Sequence, residues 1–109
     1  MKNLKYSFEF FCSPIWILEE NKENPIYVNA NVVDLPINEH LKNEIFELDN
    51  IYQSKYNDEY PPEPLSLSEE NELLFVLRVL KSHKLLEAEL LEDYNIFFDN
   101  TYWNEKLAK

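Results

Sequence analysis

Tyr56-Asn57-Asp58-Glu59-Tyr60-Pro61-Pro62-Glu63-Pro64-Leu65-Ser66-Leu67-Ser68-Glu69-Glu70-Asn71-Glu72 lies between two long helical patterns, and its reading decides the fold. Pro61, Pro62 and Pro64 forbid one continuous helix, because proline lacks a backbone N–H and its ring clashes with the preceding turn. The two flanking patterns are therefore predicted to be separate helices that return on one another as an antiparallel hairpin.

On the upstream side, Pro36-Ile37-Asn38 reads as a helix start with Asn38 as N-cap. Leu41, Ile45, Leu48, Tyr52 and Tyr56 then recur at helical spacing on one face. Glu39, Lys42 and Gln53 fall on the opposite face with Phe46 among them. An aromatic ring there is expected to be covered by a loop or a neighbouring strand. On the downstream side, Ser68 is the predicted N-cap, with Ser66–Glu69 offering a capping box one register earlier. Glu69, Glu70 and Glu72 occupy the first turn, where carboxylates complement the helix dipole. Phe75, Val76, Val79, Leu86 and Leu90 form an apolar face that Leu73, Leu77, Leu80 and Leu91 widen. A stripe of that width predicts packing on two sides, against the first helix and against a sheet. Leu74 and Leu85 fall among polar positions and are expected at the surface.

The sheet comes from the ends of the chain. Leu4, Tyr6, Phe8 and Phe10 alternate with Lys5, Ser7 and Glu9, the period of a half-buried strand. Pro14 ends or bends it, and Ile15-Trp16-Ile17-Leu18 either forms a second short strand or packs across a core edge. Ile26-Tyr27-Val28 and Val32-Val33 show no clear period, and the asparagines between them predict irregular backbone. Tyr94-Asn95-Ile96-Phe97-Phe98 has strand composition and is expected to pair with the N-terminal strand. Thr101–Lys109 holds Trp103 but little periodic pattern. The predicted fold is α+β: a two-helix antiparallel hairpin packed on a small sheet that includes the N- and C-terminal strands.

A chain of 109 residues reads as one domain, 1–109, able to bury roughly two-thirds of its unfolded surface without staples. A formal charge of −11 disfavours nucleic acid and anionic membranes and favours a basic partner. The absence of glycine removes every phosphate loop, dinucleotide fingerprint and nucleophile elbow. It also leaves positions with positive φ to residues that resist them, Asn and Asp least. Cys12 is the lone cysteine, which suits a reducing cytoplasm. Lys2 and Lys5 before apolar residues echo a signal peptide, but Glu9 and Pro14 break the run and no small-residue cleavage site follows. No apolar run approaches the roughly 20 residues that span a bilayer.

Candidate chemistry is sparse. Cys12 with His40 or His83 supplies a thiol and a base, but nothing local activates the thiol, and a buried structural cysteine accounts for it better. His83 lies near the apolar face of the second helix, where a core histidine is the default. Glu87, Glu89, Glu92 and Asp93 could form a cation site, although a solvated helix end is commoner, and negative charge is misplaced at a helix C-terminus. No HxxxH or CxxC spacing occurs, so no metal or cofactor is predicted, and no enzymatic activity. The acidic segment is the one positive signal. Asp58, Glu59, Glu63, Glu69, Glu70 and Glu72 crowd into it with no Lys or Arg, while Tyr56 and Tyr60 add amphipathic contact groups. Its prolines lower the entropy cost of holding one shape. An ordinary interhelical connector would explain each residue singly, though not the complete absence of cations.

These motifs also carry a resemblance. An aromatic N-terminal strand runs into Ile15-Trp16, followed by Leu35-Pro36-Ile37 before a tyrosine-ended helix. Tyr60-Pro61-Pro62-Glu63-Pro64 and Ser68-Glu69-Glu70 come next. Over residues 4 to 99 the order resembles a family of small acidic bacterial proteins. That family is similar to the immunity proteins of polymorphic and contact-dependent growth-inhibition toxins. The resemblance implies a cytoplasmic, non-enzymatic inhibitor whose partner is a cognate toxin, basic if it is a nuclease. Asp58, Glu59, Tyr60, Glu63, Glu69, Glu70 and Glu72 are the expected contact patch. The competing expectation is a structural or regulatory adaptor that binds a helix or strand edge through Phe46, Leu74 and Leu85. A small hydrolase built on Cys12 is the third and weakest.

Overall fold

A computed structural model describes residues 2–9, 11–19, 23–55 and 69–107. Strands β1 (Lys2–Tyr6), β2 (Ile15–Glu19) and β3 (Ile26–Ala30) come first, then a single 3-10 turn at Val32–Asp34. Helices α1 (Glu39–Lys55) and α2 (Glu69–Glu89) follow, then β4 (Tyr94–Phe97) and a short α3 (Asn100–Leu107). The four strands form one sheet in the order β3-β2-β1-β4. β2 pairs antiparallel with both β1 and β3, while β4 pairs parallel with β1. A parallel neighbour requires a long crossover, and the two helices supply it.

The period-2 pattern of β1 sends Leu4 and Tyr6 into the core. The register sets Leu4 opposite Ile17 and Ile96, and Tyr6 opposite Ile15. Against this face pack Leu41, Ile45 and Leu48 from α1, and Phe75, Val76, Val79 and Leu86 from α2. The opposite face carries Lys5, in register with Trp16 and Phe97, and its ammonium lies over the rings of Trp16 and Tyr27 at 5.8 and 5.7 Å.

α1 starts where the sequence predicts. Asn38 Oδ1 accepts the Leu41 N–H at 2.8 Å, which satisfies one of the helix's orphan donors. The same N-terminus is tied to the far end of α2, because the backbone N–H and the side-chain amide of Asn38 both donate to Glu89 at 2.8 Å. Glu89 is misplaced for the dipole of its own helix and well placed for that of α1. Further along, Arg78 of α2 pairs with Glu44 and Glu47 of α1. These contacts run start to end and middle to middle, so the helices are antiparallel.

Three local expectations give way. Residues 26–30 are not irregular but form the edge strand β3, with Ile26, Val28 and Ala30 in register with Glu19, Ile17 and Ile15. The apolar stripe of α2 is narrower than its leucines suggest, since Leu73 and Leu77 are exposed and Leu91 lies beyond the helix. The tail is ordered as α3, capped by Asp99 Oδ1 at the Thr101 N–H, with Trp103 buried against Phe8 and Phe75. Leu74 and Leu85 are exposed, as their positions predict.

Candidate functional site

The acidic segment is only partly in view. Asp58, Glu59, Tyr60 and Glu63 lie outside the described residues, as do the Ser68 cap and the capping box before it. Glu69 opens α2, Glu70 is exposed and Glu72 half-buried one turn in. Glu70 and Glu72 therefore stand in the first turn, where the helix dipole favours carboxylates whatever else they do.

A second feature is built where β1 turns into β2. Glu9, Phe11, Cys12 and Ser13 form this loop, and two amide side chains from distant parts of the chain hold it. Gln53 of α1 accepts the Phe11 N–H at 3.1 Å. Its own amide donates to the Glu9 carbonyl at 2.9 Å and to Asp49 Oδ1 at 3.1 Å. Asn29 of β3 accepts the Ser13 N–H at 3.2 Å and donates to the carbonyls of Ser13 and Ile15 at 2.8 and 3.0 Å. Between the two clamps the backbone of Phe11 sits in the left-handed region, with φ of 56°. An aromatic residue there costs about 1–2 kcal/mol relative to ordinary backbone. Its ring is 87% exposed.

The held loop, the end of β3 and α1 enclose a groove of about 680 Å³. Phe46, Asp49 and Gln53 reach it from α1 because they recur at i, i+3 and i+7 on one helix face. Phe46 is 40% exposed; the strand beside it borders the ring without covering it. Burial pushes the Asp49 carboxyl above its usual range, against the opposing effect of the Gln53 amide. No Lys or Arg is among the described residues that line the groove. Lys42, one turn before Phe46, directs its ammonium to the Val33 carbonyl and Glu39. Periodicity puts Phe46 on the polar side of α1, but only the long-range clamps of Gln53 and Asn29 make a site of it.

The histidines and the cysteine lie apart from the acidic segment in sequence. His83 is buried, stacks on Phe98 at 4.3 Å between ring centres, and faces Glu87 Oε1 at 3.3 Å. Burial holds its pKa below the usual imidazole value despite that carboxylate. Cys12 is a half-buried lining residue of the groove, while His40 is exposed on the first turn of α1. Glu87 also pairs with Lys84. Among the described residues, no group of three or more His, Cys, Asp or Glu could hold a metal ion. No helix among them is long and apolar enough to cross a membrane.

Residues 2–101 match the family model described as Serratia CdiI immunity protein-like, which spans every described strand and both long helices. No curated protein matches the chain.

Proposed function

The chain belongs to the Serratia CdiI immunity protein-like family, and from that premise we propose that it binds a cognate antibacterial toxin domain and neutralises it. The family match over nearly the whole chain carries this reading. It acts by binding rather than by catalysis. The toxin is a basic one, a nuclease in the simplest case, whose cationic cleft serves to hold phosphates. A protein with a formal charge of −11 competes for such a cleft and is steered towards it from a distance. The contact patch includes Asp58, Glu59, Tyr60, Glu63, Glu69, Glu70 and Glu72, where charge, aromatic groups and proline stiffness coincide in sequence. The complex forms in the cytoplasm, where the toxin would act.

The test is co-expression with the toxin domain encoded by the neighbouring gene. Wild-type protein should restore growth and co-purify with that domain. A neighbouring gene with no toxin activity, or a toxin that neither binds nor is silenced, would sink the reading. Within it, reversing charge at Glu59, Glu63 and Glu70 should slow association by about tenfold at low salt and flatten its salt dependence. Unchanged association rates would move the interface away from this segment. Binding that ignores salt altogether would favour the adaptor reading through Phe46, Leu74 and Leu85.

A further inference from the structure

We propose that the free edge of β3 takes an extended segment of the toxin as an added strand of the sheet, one with apolar residues at alternate positions and Lys or Arg at its ends. The proposal rests on the immunity reading and names a contact within it that lies outside the acidic segment.

The hydrogen bonds of the sheet decide which backbone groups that edge offers. The Ser7 N–H donates to the Pro14 carbonyl at 2.9 Å, from the β1 side to the β2 side. Proline has no N–H to return the bond, and the Trp16 indole donates to the Ser7 carbonyl instead, at 3.0 Å. Hydrogen-bonded pairs alternate along an antiparallel ladder. Trp16 therefore also turns its backbone groups to β1, while Ile15 and Ile17 turn theirs to β3. Their register partners Ala30 and Val28 answer them, which leaves the N–H and C=O groups of Tyr27 and Asn29 directed away from the sheet. β3 ends the strand order, and no hydrogen bond from the described residues meets these outward groups.

The strand is also undefended. Edge strands are ordinarily kept from pairing by a charge, a proline, a bulge or brevity. β3 reads Ile26-Tyr27-Val28-Asn29-Ala30, with no charge and no proline, and it pairs with β2 residue for residue without a bulge. Ile26 and Val28 stand in register with Glu19 and Ile17, on the core side of the sheet, yet they are 50% and 37% exposed. An added strand would cover them with its own alternate side chains.

Charge selects the occupant. Residues 23–34, which hold β3 and both its flanks, contain Glu23 and Asp34 and no Lys or Arg. Glu19 stands opposite Ile26. The edge is thus neutral along its length and acidic at both ends, which suits a strand bounded by cations. A second copy of this chain is the poorer fit, since it brings the same acidic flanks and a further charge of −11.

The test uses the full-length protein and the toxin domain encoded by the neighbouring gene. Hydrogen exchange followed by NMR should show the Tyr27 and Asn29 amides slowed by about tenfold or more on forming the complex. Tyr27→Pro removes an outward N–H that β2 does not use, whereas Tyr27→Thr removes the ring and keeps the N–H. In titration calorimetry Tyr27→Pro should bind about tenfold more weakly than Tyr27→Thr. If the wild type binds while both amides exchange as in the free protein, the edge is not the contact and immunity stands; this holds even where Tyr27→Pro does not fold. Folded variants that bind within about twofold of one another would overturn the proposal equally. Protection of the same amides in the free protein, together with dimers in sedimentation, would give the edge to a second copy instead. If the wild type itself does not bind the toxin, both readings fall.

Discussion

At the scale of single residues, the centre of the molecule is held by a hydroxyl pair with a defined direction. Ser82 Oγ donates to the Val79 carbonyl at 2.6 Å, which uses its one proton. The 2.7 Å bond between Tyr6 and Ser82 must therefore run from the tyrosine hydroxyl to the serine oxygen. Burial raises the Tyr6 pKa well above the normal phenol value, so the ring is neutral and able to donate. The asymmetry gives a prediction. Ser82→Ala strands a buried phenol O–H and should cost about 2 kcal/mol in urea unfolding. Tyr6→Phe removes only an acceptor's partner and should cost about 1 kcal/mol or less. The double variant should be less destabilised than the sum of the two, and equal single costs with strict additivity would refute the assigned direction.

At the scale of elements, the hairpin of α1 and α2 is fixed in register by Arg78. Its guanidinium makes a forked contact with Glu44 through Nε and Nη2, and a further contact with Glu47 at 3.1 Å. The Arg78 hydrogen bonds hold the Glu44 carboxyl below its usual 4.5. A depressed folded-state pKa contributes stability that is present above pH 4.5 and is lost as pH falls through the folded value. Both partners are about one-third exposed, so solvent screening limits the contribution to about 1 kcal/mol. Arg78→Lys keeps the charge but loses the fork, and should lower stability at neutral pH by about half that amount. It should also flatten the loss of stability below pH 4.5. An acid unfolding profile identical to wild type would place the register elsewhere.

The same elements show what the sequence alone could reveal. β1, α1 and α2 each bury one face against the core, so their periods stand out; β4 shows in its strand composition, and Asn38 marks the start of α1. β3 escaped notice because it is an edge strand, half-wet on both faces. Tyr27 and Asn29 alternate with Ile26 and Val28, but a tyrosine on the solvent side blurs the period. α3 is too short for periodicity, and among its described side chains Trp103 alone is buried; the Asp99 cap was the available signal. The leucines of α2 misled because apolar composition does not guarantee burial, and Leu73 and Leu77 remain exposed. The groove was legible only in parts. Phe46 stood out on a polar face, but Gln53 meets Phe11 across 42 positions of chain, and no local pattern encodes that contact.

At the scale of the whole molecule, a formal charge of −11 is spread over a fold whose core needs none of it. Self-repulsion of that size opposes compaction, so it has to be offset by packing, and salt or a partner that supplies positive charge relieves it. Under the proposed reading, that charge would speed capture of a basic toxin before it acts. The most direct measurement is calorimetric titration of the full-length protein with the toxin domain encoded by the neighbouring gene, at low and at high salt. The predicted result is saturable binding with a Kd of about 10 nM or tighter at low salt, weakening as salt rises. Absence of binding at low salt, by a protein that is folded, would contradict the assignment of this chain as the inhibitor of that toxin.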